Sequence, residues 1–192
     1  MASFGANKPM FAPFSGTEPT NALPQYGESK SLGKLVSANV TVNMANGELY
    51  ADDSLAENVT EFISASIAME TDDITDEVKR VVYGNAADAT ESPTGELKYN
   101  IADAAPLGGL CYYKTLMVGG VKTYEGYYYP KVKAALGNDN AQTKGSSITF
   151  GTTSTTFTVF AAATGDWRFT KRCATETEVV AWMEEKLKKA TV

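Results

Sequence analysis

The sequence contains no histidine, the residue that most often serves as a general acid or base and most often binds metals. Glycine pairs occur, but they lack the lysine and the helix context of a phosphate-binding loop. Carboxylates are numerous, yet their spacing singles out no pair for glycoside hydrolysis. We therefore predict that the protein is not an enzyme, that it has no catalytic residues and that it uses no cofactor.

Two clusters of carboxylates are candidates for calcium binding. One is Asp52-Asp53, and the other runs from Asp72 to Glu77. Neither has the alternating ligand spacing and central glycine of a calcium-binding loop. The first fits a solvated loop and the second fits the negative charge that favours a helix N-terminus, so we expect no metal site.

The chain has no excess of positive charge and no long apolar run. Its 17 Lys and Arg residues stand against 23 Asp and Glu, a formal net charge of -6. The molecule as a whole therefore repels phosphate backbones, and we do not expect tight nucleic-acid binding. No window is apolar enough to span a bilayer, and the stretch MASFGANKPMFAPFSG lacks the features of a signal peptide. We expect neither secretion nor a membrane anchor.

Cysteine is scarce, since Cys111 and Cys173 are the two in the sequence. Without a signal segment, we expect both thiols to be reduced and buried rather than joined in a disulfide. Such cysteines behave as small hydrophobic residues.

Residues 1–33 are rich in Pro, Gly, Ser and Asn and show neither the two-residue period of a strand nor the 3.6-residue period of a helix. We predict an extended N-terminal arm over residues 1–33 and a folded domain over residues 34–192. The arm carries Phe4, Phe11, Phe14 and Tyr26, which are too many aromatic residues for an idle tail. We expect it to dock either on its own domain or on a neighbour.

Alternating apolar residues predict most of the domain to be β-strand. A strand is predicted over Lys34–Met44, followed by a turn at Asn46-Gly47, a polar connection and a second strand in EFISASIAME. The two strands fit an antiparallel hairpin. Gly119-Gly120 is predicted to be a tight turn, and further strands are predicted at Glu96–Ile101, Gly109–Val118, Val121–Ala135, Ser146–Phe150, Thr155–Ala162 and Asp166–Arg172.

Two short amphipathic helices complete the prediction. The first follows Asp73, which is placed to cap it, and ends at Gly84. In the second, Thr175 and Glu178 have the spacing of a capping box. The predicted fold is mainly β with α (α+β), an antiparallel β-barrel or sandwich with two short helices packed on it. The apolar stripes of the helices are Ile74, Val78, Val81 and Val82 in the first, and Val179, Trp182, Met183 and Leu187 in the second.

The stretch GGVKTYEGYYYPKVKAAL has four tyrosines, which can fill a core, bind sugars, stack on bases or join subunits. Strand alternation places Tyr128 with the apolar residues of one face, and Tyr127 and Tyr129 beside charged residues on the other. Tyrosine is enriched in subunit interfaces, so we predict that Tyr127 and Tyr129 form one. The alternative is that these rings pack under helices of their own chain.

The order of these motifs resembles the major tail protein family of tailed phages that infect Gram-positive bacteria, whose members build the tail tube. The resemblance covers residues 35–187, departs from the family pattern at LGGLCYYK and does not include the arm. It is carried by ELYADDSLAE, DEVKRVVYG, GVKTYEGYYYPKVKA, QTKGSSITFGT and a final DWRF followed by a helix with AWMEEKL.

The resemblance implies a structural virion protein with a tail-tube β-barrel. Six copies are expected to close a hexameric ring, and the rings to stack into the hollow tube through which phage DNA is ejected. The implied partners are further copies of the chain and other tail proteins, such as the tape measure, tail terminator and distal tail proteins. DNA is expected to pass through the lumen without specific binding. The implied location is the virion tail, assembled in the cytoplasm of the host bacterium.

The resemblance also implies that the connection over residues 47–58 is a loop that reaches a neighbouring subunit. Leu49 and Tyr50 would be its apolar anchors, and Asp52, Asp53 and Glu57 its polar partners. Together with Tyr127 and Tyr129, these residues are the predicted subunit or ring interface.

Two other functions remain open from the sequence. The inner tube of a contractile phage-like device would use the same subunit fold under a sheath. A carbohydrate-binding β-sandwich would use the tyrosines as platforms for sugars and would stay monomeric.

Overall fold

A computed structural model describes residues 2–51, 54–85, 97–136 and 151–188, and these residues form a largely antiparallel β structure with two helices. The predicted mainly-β class with α is therefore confirmed. The elements are β1 (Ala2–Pro13), β2 (Lys30–Ser31), β3 (Leu35–Ala51), β4 (Ser54–Thr71), α1 (Asp76–Tyr83), β5 (Leu107–Val118), β6 (Val121–Leu136), β7 (Thr153–Val159), β8 (Phe169–Cys173) and α2 (Glu176–Lys186).

Strand β6 organises the sheet because it has two different neighbours along one edge. The strand order is β2-β1-β5-β6-β7-β4-β3, and β8 also pairs with β6. Along one edge β6 pairs with β5 over nearly its whole length. Along the other edge, residues 124–128 pair with β8 and residues 132–136 pair with β7.

Pro130 lies where β6 changes from one neighbour to the other. In the ladder with β5, Gly108 faces Val132 and Leu110 faces Tyr129, so Pro130 and Lys131 together oppose one residue. This is a β-bulge, which bends a strand and tolerates proline because one residue is left outside the ladder. The bulge therefore places the proline where the two parts of the sheet diverge.

The sheet curls around an apolar core. The rings of Phe11 in β1 and Phe157 in β7 have centroids 6.0 Å apart, although β5 and β6 lie between these strands in the sheet order. Three strand spacings in a flat sheet would span about 14 Å. This core also includes the buried face of α1. Its largest fully buried members are Phe11, Leu32, Ile67, Met69, Ile74, Leu110, Tyr112, Tyr129 and Phe157.

A second core lies on the opposite face of β5 and β6, under α2. Val179, Trp182 and Met183 of the helix pack there against Cys111 and Tyr128. The helix begins as predicted, with a complete capping box between Thr175 and Glu178. Both faces of the β5–β6 pair are thus covered within one chain.

A buried hydrogen-bond chain ties the N-terminal segment to this second core. The Tyr26 hydroxyl donates to the backbone carbonyl of Pro130 at 2.7 Å and lies 2.6 Å from the Tyr128 hydroxyl, which therefore donates to it. Burial raises the pKa of Tyr128 to about 12, so the hydroxyl stays protonated. The Pro130 carbonyl is thereby satisfied at the bulge.

The N-terminal segment docks on its own chain, one of the two possibilities predicted for it. Strand β1 lies between β2 and β5 in the sheet, and Phe11 is completely buried. The sequence does not predict this strand because the ladder is broken twice, between Phe4 and Ala6 and between Asn7 and Met10. Gly5 and Lys8 adopt positive φ at these breaks, and the interruptions remove the two-residue period from the sequence.

The first helix forms where it was predicted, with one correction at its start. Its N-cap is Thr75 rather than Asp73, and the Thr75 side chain makes no capping hydrogen bond. The neighbouring Asp72 carboxylate instead accepts hydrogen bonds from the backbone N–H groups of Lys34 and Asp73. Gly84 ends the helix in the left-handed conformation, with φ 71°.

The other strand predictions have mixed outcomes. The Gly119-Gly120 turn and the strands around it are confirmed, with both glycines at positive φ. The strands near Thr155 and Asp166 form over shorter ranges. The strand predicted at Glu96–Ile101 is wrong over its described part, because residues 97–101 are irregular. The strand predicted at Ser146–Phe150 lies outside the described residues.

Both cysteines are free and buried, as predicted. Cys111 faces Tyr128 from one side of β6, and Cys173 faces Tyr124 from the other side, so a strand separates the two thiols. Burial raises the pKa of both thiols above their usual range. None of the helices in the described ranges is long and apolar enough to cross a membrane.

Gly126 of β6 provides a test of how closely α2 packs. A Cβ atom at this position would lie 2.7 Å from ring carbon Cζ3 of Trp182 and 2.7 Å from Cγ2 of Val179. We expect Gly126→Ala to lower the free energy of unfolding by about 1–3 kcal/mol, because the helix must shift away from the sheet. Urea denaturation measures the change.

Gly47→Ala is the matched control, since a Cβ atom at Gly47 would meet no atom within 4 Å. The control should unfold within about 0.5 kcal/mol of the wild type. Equal stability of the Gly126→Ala variant and the wild type would mean that α2 does not rest on β6 as described.

Candidate interaction surface

The β3–β4 hairpin extends past the rest of the sheet. Strand β7 pairs with β4 only over residues 65–71, whereas β3 and β4 continue to pair with each other out to Ala51 and Ser54. We call residues 43–51 and 54–64 the hairpin ribbon. At about 3.3 Å per residue, the nine residues of its β3 side span about 30 Å.

The ribbon corrects the prediction of a turn at Asn46-Gly47 and a loop over residues 47–58. Asn46 pairs with Thr60 and Gly47 pairs with Val59, so both residues lie within a strand. A two-residue turn at Asn-Gly requires positive φ at both residues, and neither residue has it. The antiparallel pairing of β3 and β4 instead continues out to Ala51 and Ser54.

The ribbon exposes large apolar side chains to solvent. Met44 is 44% exposed, Leu49 58%, Val59 48% and Ile63 60%. Every described side chain from Thr41 to Leu49 and from Glu57 to Glu61 is exposed. Exposed apolar residues on a projecting element are typical of an interaction surface.

An aromatic pair fixes the base of the ribbon to the body of the protein. The rings of Phe62 and Trp167 are stacked, with centroids 4.5 Å apart and planes 11° from parallel. The guanidinium of Arg168 lies 4.7 Å from the centre of the Trp167 ring. These contacts orient the ribbon, and the sequence prediction placed none of the three residues in the interface. The signal that could have found them was the adjacent Phe62 and Ile63, which place apolar residues on both faces of one strand.

Strand β3 is also an edge strand. In the described part of the chain it pairs with β4 alone. Its sequence, LVSANVTVNMANGELYA, contains no proline or lysine, the residues that commonly protect exposed edges against pairing with another chain. The edge is therefore open to a further strand.

Tyr129 is not at the surface, contrary to prediction. It is fully buried because both faces of β6 are covered, and its hydroxyl lies 3.4 Å from that of Tyr112. This matches the alternative that the ring packs within its own chain. Tyr127 is half-buried, with its ring stacked 5.1 Å from Tyr112.

Charged residues surround Tyr127. Its hydroxyl donates to Glu125 at 2.6 Å, and Arg172 of β8 donates to the same carboxylate at 3.0 Å. The ammonium of Lys114 lies 5.0 Å from the centre of the Tyr127 ring. Burial, followed by the bond to Glu125, raises the pKa of Tyr127, and the charge of Arg168 opposes that rise. We call Lys114, Glu125, Tyr127, Arg168 and Arg172 the Tyr127 patch.

The structure does not bring all the predicted interface residues together. Leu49 and Glu57 face each other on the ribbon and are exposed. Tyr50 continues the same strand, while Asp52 and Asp53 lie outside the described residues. Tyr127 lies on β6, near the centre of the sheet order, whereas the ribbon belongs to its β3–β4 edge.

A surface cleft of about 750 Å³ lies where β1, the start of β3 and α2 meet. Two of its three carboxylates are engaged by the protein itself. Asp72 accepts from the backbone N–H of Lys34 at 2.6 Å, and Glu176 accepts from the Tyr113 hydroxyl at 2.7 Å. Within the described ranges, no three His, Cys, Asp or Glu side chains are grouped closely enough to hold a metal ion.

Comparisons with known proteins do not assign the chain to a family. No family model matches the sequence, and no curated protein matches it at a significant level. The function must therefore be inferred from the ribbon, the Tyr127 patch and the resemblance carried by the sequence motifs.

The Glu125 carboxylate gives the Tyr127 patch a testable pH dependence. The hydrogen bond from Tyr127, followed by that from Arg172, lowers the pKa of Glu125 below its ordinary value of 4.5. A lowered folded-state pKa stabilises the protein above the unfolded value, and this stabilisation is lost as pH falls through the folded-state pKa. We expect Glu125→Gln to lower the free energy of unfolding at pH 7 by roughly 1–2 kcal/mol. The deficit should therefore be smaller at pH 3 than at pH 7.

Chemical denaturation at the two pH values measures this difference. Glu57→Gln, a change of the same kind at an exposed ribbon position, should have little effect at either pH. A Glu125→Gln deficit of equal size at pH 7 and pH 3 would show that the charge of Glu125 does not stabilise the patch.

Proposed function

We propose that the protein is a structural subunit that assembles with copies of itself into a tube, as the resemblance to phage tail tube proteins implies. The observation that carries this proposal is the hairpin ribbon, a projecting element with exposed apolar residues and an open strand edge. Such an element is a liability in a monomer, since it can pair with any exposed strand. It becomes useful when a neighbouring copy covers it.

The free energies of burial and association favour a closed assembly over an isolated pair of subunits. Burying the exposed parts of Met44, Leu49, Val59 and Ile63 contributes roughly 4 kcal/mol. The loss of translational and rotational freedom on association costs about 4–15 kcal/mol. One ribbon contact therefore only matches the low end of this cost, whereas a ring gives each subunit two neighbours and leaves no ribbon uncovered. Six copies per ring, with rings stacked into a tube, is the arrangement that we propose.

The charge of the chain suits a conduit for DNA. The whole chain has 23 Asp and Glu residues against 17 Lys and Arg, a formal net charge of -6. A protein with an excess of carboxylates has few cations to replace the counterions of a phosphate backbone, so it does not retain DNA. In the proposed tube, DNA moves through the lumen without specific binding. The same subunit would serve a naked tail tube or the inner tube of a contractile device.

The carbohydrate-binding alternative gains no support from the tyrosines of β6. Tyr128 and Tyr129 are buried, the Tyr127 ring is stacked on Tyr112, and the half-buried Tyr124 ring packs edge-to-face against Tyr113. A sugar-binding platform requires an aromatic face open to solvent.

Shortening the ribbon tests the proposal. Asn46 and Thr60 face each other, so residues 47–59 can be replaced by Asn-Gly, which joins opposed strands in a two-residue turn. We expect the shortened protein to keep its melting temperature within a few degrees, because the removed residues lie outside both cores. It should lose concentration-dependent assembly in sedimentation velocity experiments.

A finer variant separates apolar contacts from ribbon length. Met44→Ser with Ile63→Ser should weaken assembly, whereas Val121→Ser, at an equally exposed valine beside the Gly119-Gly120 turn, should not. Unchanged assembly of the shortened protein would exclude the ribbon as the element that joins subunits.

A further inference from the structure

The negative charge of the protein is concentrated in one hairpin. Between Leu35 and Thr71, the carboxylates number six and the cations none, and six is also the net negative charge of the whole chain. The rest of the chain therefore carries equal numbers of acidic and basic residues. This segregation gives the projecting hairpin a field of one sign, which orients an approaching partner. The six carboxylates are Glu48, Asp52, Asp53, Glu57, Glu61 and Glu70.

The Tyr127 patch has the opposite sign. Lys114, Arg168 and Arg172 stand there against the single carboxylate of Glu125. Arg168 and Arg172 are exposed, and Tyr127 adds a half-buried ring among them. Arginine and tyrosine are enriched in interfaces between subunits, where they serve as anchors. The patch therefore combines a positive field with an aromatic contact.

The patch lies beside an open strand edge. Residues 169–173 of β8 pair with β6 on one side, and the described part of the chain supplies no strand on the other. Arg172 lies on this edge strand. An extended segment from another chain can therefore add to β8 by main-chain hydrogen bonds while its carboxylates meet the cations.

The base of the ribbon lies beside the patch of the same molecule. Arg168 contacts Trp167, and Trp167 stacks on Phe62 at the base of the ribbon. Glu57 lies five residues from Phe62 towards the tip, about 16 Å along the strand. In the described part of the chain, Glu57 and Glu61 are exposed and make no hydrogen bond or ion pair with this patch, so they are available to a second molecule.

We propose that the hairpin ribbon of one copy docks on the Tyr127 patch and the β8 edge of a neighbouring copy. This inference rests on the proposed self-assembly and names the surface that receives the ribbon. The occupant is a second copy because one chain carries both complementary surfaces, and each copy can then give one ribbon and receive another. Such head-to-tail contacts close into rings when the rotation between neighbouring copies completes a full turn.

Charge exchange between the two surfaces tests the docking. One variant reverses the patch with Arg168→Glu and Arg172→Glu, and a second reverses the ribbon with Glu57→Lys and Glu61→Lys. Each variant alone should need at least about a tenfold higher concentration to assemble, because like charges then face each other. An equimolar mixture should assemble near the wild-type concentration, since both of its mixed contacts pair opposite charges. Sedimentation velocity of the separate and mixed proteins measures these concentrations.

The matched control is Lys98→Glu with Lys188→Glu. It changes the net charge of the chain by the same amount as the patch variant, but at exposed positions outside the patch. It should assemble like the wild type. If a reversed variant melts well below the wild type, Arg168→Gln with Arg172→Gln replaces it. A salt titration gives an independent test. Assembly of the wild-type protein should weaken as the salt concentration rises from about 0.05 to 0.5 M, because salt screens the attraction between the two surfaces.

Each outcome separates the docking site from the self-assembly on which it rests. A wild-type protein that stays monomeric contradicts self-assembly itself. Wild-type assembly together with undiminished assembly of the patch variants overturns the docking site and leaves self-assembly intact. The docking site is also overturned if the reversed variants fail to assemble both alone and in the mixture, because complementary charges in the mixture must restore the contact.

Discussion

The fold depends on the covering of both faces of β6. One face closes the core that contains Tyr129, and the other supports α2 through Tyr128 and Gly126. The bulge at Pro130 allows this strand to pair with β8 over its first half and with β7 over its second half. The hydroxyl of Tyr26 then satisfies the carbonyl that the bulge presents to the interior. The N-terminal segment, the sheet and helix α2 therefore meet at the bulge.

The divergence of the sheet at this bulge explains why the hairpin projects. On the tip side of residue 65, β4 no longer has β7 as a neighbour, and Trp167 packs against Phe62 where the two parts separate. An isolated two-stranded ribbon is marginally stable in water, so the outer ribbon relies on cross-strand pairs alone. A neighbouring chain would supply the missing packing. Assembly and local stability are therefore coupled in the proposed tube.

Local signals in the sequence were sufficient where a feature depends on a few adjacent residues. The capping box at Thr175, the glycine turn at Gly119-Gly120 and the end of α1 at Gly84 follow from such signals. Features that depend on distant partners were missed. Strand β1 lost its period at two bulges, and the burial of Tyr129 depends on a layer formed by other strands.

The candidate surface was predicted in part for the same reason. The polar, acidic character of residues 47–58 indicated an exposed element, but its form depended on cross-strand pairing. Asn46-Gly47 carries a strong turn signal, yet Gly47 pairs with Val59 inside a strand that continues to Ala51. The positive surface around Tyr127 was not predicted at all, because Lys114, Arg168 and Arg172 come together only through the pairing of β5, β6 and β8.

Electron microscopy of the concentrated wild-type protein distinguishes a tube subunit from a protein that works alone. We expect closed rings with an open centre, stacked into tubes at higher concentration, with the ribbon of each subunit in contact with its neighbour. Particles of a single subunit at every concentration, with neither rings nor tubes, would contradict the proposed assembly.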